Sequence, residues 1–149
     1  MDTLTASPIF QAYVVSTVVL GMNLLVLANN TALSRAGAGE VVNPEDIKMN
    51  KEAQVVYESG NARTERYRRA HRNALENVPL FLITGFVLSI TSVPFTLAAI
   101  LFGIFVAARV AHSFAYVLEL QPYRTAMFAV GALDQIAILG VLGYYTFMG

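Results

Sequence analysis

The chain of 149 residues has no cysteine, only two histidines and little charge, its ten basic and ten acidic residues cancelling to zero net charge. Without thiols there is no disulfide, no cysteine nucleophile and no thiolate metal site. His71 and His112 form no His-Glu-x-x-His arrangement, and no carboxylate stands at ligand spacing from either, so no metal is expected. Gly37 and Gly39 lack the preceding strand and following lysine of a phosphate loop and read as linker. No internal repeat or low-complexity tract is visible. With no net positive charge, no nucleic-acid partner is expected.

What is present is apolar. Hydrophobic residues make up 56% of the chain, which marks an integral membrane protein. At roughly 20 residues per span, the length fits four spans in one domain covering residues 1–149. They are read at about residues 9–33, 66–91, 94–120 and 123–148. The first is too long for the apolar region of a signal peptide and follows Asp2 rather than basic residues, so it is read as retained. The Ser92-Val93 and Gln121-Pro122 links are short, so neighbouring helices should pack antiparallel. The fold class is therefore all-α, an integral membrane four-helix bundle. In the long connection, about residues 36–62, Asn43-Pro44-Glu45-Asp46 is a helix-start signature, and it predicts a short helix near residues 47–57.

Eight of the ten basic residues lie between positions 35 and 72. The positive-inside rule then places the long connection in the cytoplasm, with the Gln121-Pro122 corner on the same side.

The polar residues of the spans recur at helical spacing. Arg69, Arg72, Asn73 and Glu76 stand at i, i+3, i+4 and i+7, so two guanidiniums, an amide and a carboxylate share one face, able to hold a small zwitterionic anion. Arg109, His112, Ser113 and Tyr116 repeat that period in the third span. Arg124 and Thr125 open the fourth, where exposed N–H groups and the macrodipole already favour an anion.

Not every charge belongs to a site. Arg66 and Arg68 read as solvated or headgroup-facing residues that set topology, and His71 lies off the stripe. A lone His112 would ordinarily be a packing histidine. Arg109 is different, because ionisable residues within spans are rare and usually face a bundle interior or cavity. Asp134, in the middle of the fourth span, should face inward for the same reason, with Asn23 as a candidate neighbour.

Three ordered motifs carry a family resemblance: Asn43-Pro44-Glu45-Asp46, then Glu65-Arg66-x-x-Arg69-Ala70-His71-Arg72-Asn73-x-x-Glu76-Asn77, then Arg109-Val110-Ala111-His112-Ser113-x-Ala115-Tyr116. Over about residues 33–128 the chain resembles the MAPEG family, membrane-associated proteins in eicosanoid and glutathione metabolism. It looks closest to the branch of microsomal glutathione transferases and prostaglandin E synthase. The resemblance implies a glutathione-dependent homotrimer of four-helix subunits. Arg35, Arg69, Arg72, Asn73 and Glu76 would hold glutathione, with His112 and Tyr116 as further contacts and Arg109 beside them. Arg124 would stabilise the thiolate, with Thr125 where the prostaglandin synthase has a serine. Phe128 departs from the pattern, standing where that synthase has a tyrosine. The connection is also less basic than the synthase's, which argues against prostaglandin H as substrate.

Residues and resemblance together predict an enzyme that directs the glutathione thiolate at lipophilic electrophiles or hydroperoxides partitioning from the lipid. The alternatives are a prostaglandin E synthase-like isomerase, a non-catalytic lipid-binding scaffold like the lipoxygenase-activating member of the family, and a structural protein whose arginines meet only headgroups. The expected setting is a bacterial inner membrane, or the endoplasmic reticulum in a eukaryote.

Overall fold

Pro8 stands in the first turn of a 30-residue helix, where its missing N–H costs nothing. In the computed structural model, which describes residues 2–48 and 51–148, that helix is α2 (Pro8–Gly37), after a single turn α1 (Asp2–Thr5). Three further long helices follow: α3 (Ala62–Ser89), α4 (Phe95–Val117) and α5 (Gln121–Phe147). Asn61 sets the start of α3, its Oδ1 accepting from the backbone N–H groups of Arg63 and Thr64 at 3.0 Å each. Short corners at residues 90–94 and 118–120 turn the chain back on itself, and α4 packs against α5 and α2 against α3.

By length and composition α2, α4 and α5 can cross a membrane. The expected second span is also one continuous helix, but the N-terminal half of α3 is charged. Large apolar side chains cover the outer surface, among them Val15, Leu25, Ile83, Leu133 and Ile136. In water such a surface would be an aggregation liability, and in lipid it is the solvated face.

Inside, aromatic rings set the spacing. Phe81 of α3 stacks on Phe105 of α4 with centroids 4.4 Å apart and meets Phe102 edge-on at 5.6 Å. Tyr13 of α2 packs against Phe102 and donates its hydroxyl to the Leu82 carbonyl at 3.0 Å. Gly85 makes room for it, since a Cβ there would lie 3.2 Å from the Tyr13 ring.

The long connection corrects the expected helix near residues 47–57. Helical structure does begin at Pro44, but it is a 3₁₀ turn, Pro44–Lys48. Strands β1 (Glu40–Val41) and β2 (Gln54–Val55) then pair in parallel, Glu40 with Gln54 and Val41 with Val55. Positions 49 and 50 lie outside the described residues; beyond them, at Gln54 and Val55, the chain is extended, and Gln54 and Val56 donate their amides to the Gly39 and Val41 carbonyls at 2.8 Å each instead of entering a helix.

Candidate functional site

The sequence-predicted residues gather at the end of the bundle nearest the connection, where α3 begins, α4 ends and α5 begins. They separate into an enclosed set and an open one. Arg109 is only 2% exposed, with its guanidinium between the rings of Phe105 and Phe128 at 5.7 and 5.4 Å. Its Nη1 donates to Asn73 Oδ1 at 3.3 Å, and its Nη2 to the Phe128 carbonyl at 3.4 Å. The slot exists because position 131 is glycine: a Cβ there would lie 2.8 Å from Arg109 Nε.

One turn along α4, buried His112 makes a 2.9 Å hydrogen bond through Nδ1 with the Arg124 carbonyl. A carbonyl only accepts, so Nδ1 carries the proton and Nε2 of a neutral ring is left as an acceptor. His112 Nε2 and Arg109 Nε are buried and have no hydrogen-bond partner among the described residues. The His112 ring also meets Tyr116 and Phe128, while the Arg124 guanidinium lies 4.7 Å from the Tyr116 ring centre. Ser113, the remaining member of that stripe, donates to the Arg109 carbonyl and accepts from Asn23 Nδ2 at 3.0 Å.

The stripe on α3 is divided. Asn73 turns inward to Arg109, whereas Arg69, Arg72 and Glu76 are exposed. Thr125 is exposed and Arg124 half-buried. Arg35 lies apart, donating through Nη1 to the Val56 carbonyl at 2.9 Å and so fastening α2 to the connection.

Arg66 and Arg68 stay partly exposed, at 25% and 42%, and each also carries an ion pair: Arg66 meets Glu119 at 2.6 Å and Arg68 meets Glu65 at 2.8 Å. The antiparallel return of α4 brings Glu119 over the start of α3, a contact that no local spacing announces. Asn23 bonds Ser113 rather than Asp134, which is buried in α5 with Oδ2 unpartnered. Its neighbour Gln135 reaches α3, donating to Thr84 Oγ1 at 3.0 Å. Phe128 and Gly131 were missed as the frame of Arg109. Their spacing from Arg124, i+4 and i+7, places them on its helix face and was the available signal.

The profile of the MAPEG family matches residues 12–144. The chain belongs to the MAPEG family. Human microsomal glutathione S-transferase 1 is 34% identical over 126 residues, covering 83% of this chain and 81% of that protein. The rat protein of the same name is 36% identical over 119 residues, 78% and 76% of the two chains. Human prostaglandin E synthase is 32% identical over 129 residues, 86% and 84%. Family membership and three apolar helices make this MAPEG chain a membrane protein. Among the described residues no group of three His, Asp or Glu side chains is placed to hold a metal ion.

Proposed function

We propose that this MAPEG protein is a membrane-bound glutathione-dependent transferase, with Arg124 holding the glutathione thiolate. The observation that carries the reading is the setting of Arg124 in the first turn of α5, its carbonyl bonded to His112 and its guanidinium lying against Tyr116. A fixed cation, the adjacent Thr125 hydroxyl and a helix N-terminus all favour thiolate over thiol. Glutathione carries two carboxylates and one ammonium, and Arg69, Arg72 and Glu76 on α3 match them in charge. Asn73 and Arg109 would support that stripe from inside, Tyr116 would flank the thiolate, and Arg35, apart from the set within one subunit, would contact glutathione at the site of a neighbouring subunit.

In the proposed step the thiolate attacks an electrophilic carbon, the C–S bond forms, and the leaving group departs with the bonding electrons. With a hydroperoxide, two glutathiones give a disulfide, an alcohol and water. A second reading, isomerisation, is favoured by the 32% identity to prostaglandin E synthase. The open stripe on α3 and the enclosed α4–α5 set would complete one site across subunits of a homotrimer. The connection end would face the cytoplasm of a bacterial inner membrane.

Stopped-flow absorbance in the thiolate band on mixing purified protein with glutathione tests the reading. Saturable thiolate formation at neutral pH is expected. Its absence at millimolar glutathione would leave the scaffold reading in place.

A further inference from the structure

Away from the α4–α5 set, two cavities meet at Asn30 on the seam between α2 and α3. The first, about 320 Å³, is polar: Ser34, Asn61 and Arg63 line it with Gly37. The second, about 120 Å³, is apolar and lies between α2, Tyr67 of α3, and Phe114 and Val117 of α4. The α2 residues involved, 23, 26, 27, 30, 33, 34 and 37, form one stripe at helical spacing, so the two cavities are a single cleft running along the helix. On the α3 side the junction is made by Arg63, whose guanidinium lies 6.0 Å from the ring centre of Tyr67.

The cleft thus has a cationic head and an apolar tail. The ion pairs among the described residues engage Arg66 and Arg68 and leave Arg63, an exposed side chain, without a carboxylate. The tail stays open to lipid along Val26 and Phe114, 51% and 63% exposed. We propose that this cleft binds an anionic phospholipid of the surrounding bilayer, with its phosphate at Arg63 and one acyl chain along Phe114. The head cavity, about 320 Å³, is larger than a bare carboxylate needs, and the apolar groove that continues from it suits a chain rather than a free anion. The proposal rests on membrane insertion and Arg63, and is independent of the glutathione reading.

Native mass spectrometry of the purified full chain in detergent, titrated with phosphatidylglycerol or with phosphatidylcholine of the same acyl chains, tests it. The wild type should bind phosphatidylglycerol about tenfold more tightly, the worth of roughly one charge-assisted hydrogen bond. Arg63→Gln should erase that preference and Arg63→Lys should keep most of it. Val26→Trp, which fills the groove, should weaken both lipids alike. Equal binding of the two lipids by the wild type would overturn the proposal. So would an equal loss of preference in Arg68→Gln, which would mean a diffuse surface charge. A crosslinker at position 114 that captures a second copy of the chain rather than lipid would assign the cleft to self-association.

Discussion

His112 and the Arg124 carbonyl are joined by a 2.9 Å hydrogen bond, tying the last turns of α4 to the first turn of α5. The bond orients the helix end that carries the proposed thiolate cation, so histidine and arginine should act as a unit.

The sharpest test is Arg124→Ala. A thiol shifted by two pKa units needs about 2.7 kcal/mol of differential stabilisation, so the thiolate signal at neutral pH should vanish. Raising the pH should partly restore turnover, since deprotonation of the free thiol then supplies the nucleophile without the arginine. Thr125→Ala should cost less, because the charge remains. If Arg124→Ala keeps wild-type activity while Arg109→Ala loses it, the activating cation is on α4.

Glu76→Gln should weaken glutathione by about 1.5–3 kcal/mol, the range for hydrogen bonds to charged groups. Exposed Glu76 takes part in no ion pair among the described residues, so the thermal midpoint should hold. Calorimetric titration beside a melting curve reads both, and an unchanged affinity removes Glu76 from the site.

Gly131→Ala brings two opposed effects. Helix propensity gains roughly 1 kcal/mol, while a methyl 2.8 Å from Arg109 Nε overpacks a buried slot at about 1–3 kcal/mol. A net loss of about 1 kcal/mol is expected in detergent unfolding. In an Arg109→Ala background the same substitution should become stabilising, and a cycle without that change of sign would refute the clash.

Glu119 turns the α4–α5 corner at φ 63°, in the left-handed region, while pairing with Arg66. Glu119→Val should lose about 1–2 kcal/mol from the strained backbone. Glu119→Gly relieves the strain and removes the ion pair together, and should stay within about 1 kcal/mol of wild type. Parallel melts of the two variants separate backbone from charge.

Blue-native electrophoresis and native mass spectrometry across mild detergents should find three copies of the chain. A monomer throughout would mean that the open stripe on α3 is completed by something other than a neighbouring subunit.

Hydropathy made the four long helices legible in the sequence, because that signal is local, whereas the one helix-start signature, at Asn43-Pro44, opened only a single 3₁₀ turn. The burial of Arg109 and the inward face of α4 followed from the cost of charge in lipid. Three features did not follow. Asn73 and Arg72 are adjacent in sequence, and periodicity alone left open which side of the α3 stripe would face Arg109. The Arg66–Glu119 pair joins residues far apart in sequence, so it depends on how the helices return. The β1–β2 pair arises where a weak helix signal lost to backbone pairing with a distant segment.

The division of α3 into a charged half and an apolar half has a consequence for depth. Its apolar stretch, residues 78–89, rises only about 18 Å at 1.5 Å per residue, whereas the hydrocarbon layer is about 30 Å thick. With α2 and α4 spanning that layer, the turns bearing Arg72 and Glu76 would fall within the thickness those neighbours occupy. The bilayer must thin there, or water and headgroups must dip toward the helix. For the proposed reaction, either response would let a water-soluble peptide and a membrane-dissolved reactant stand at the same level without one leaving the lipid or the other entering it.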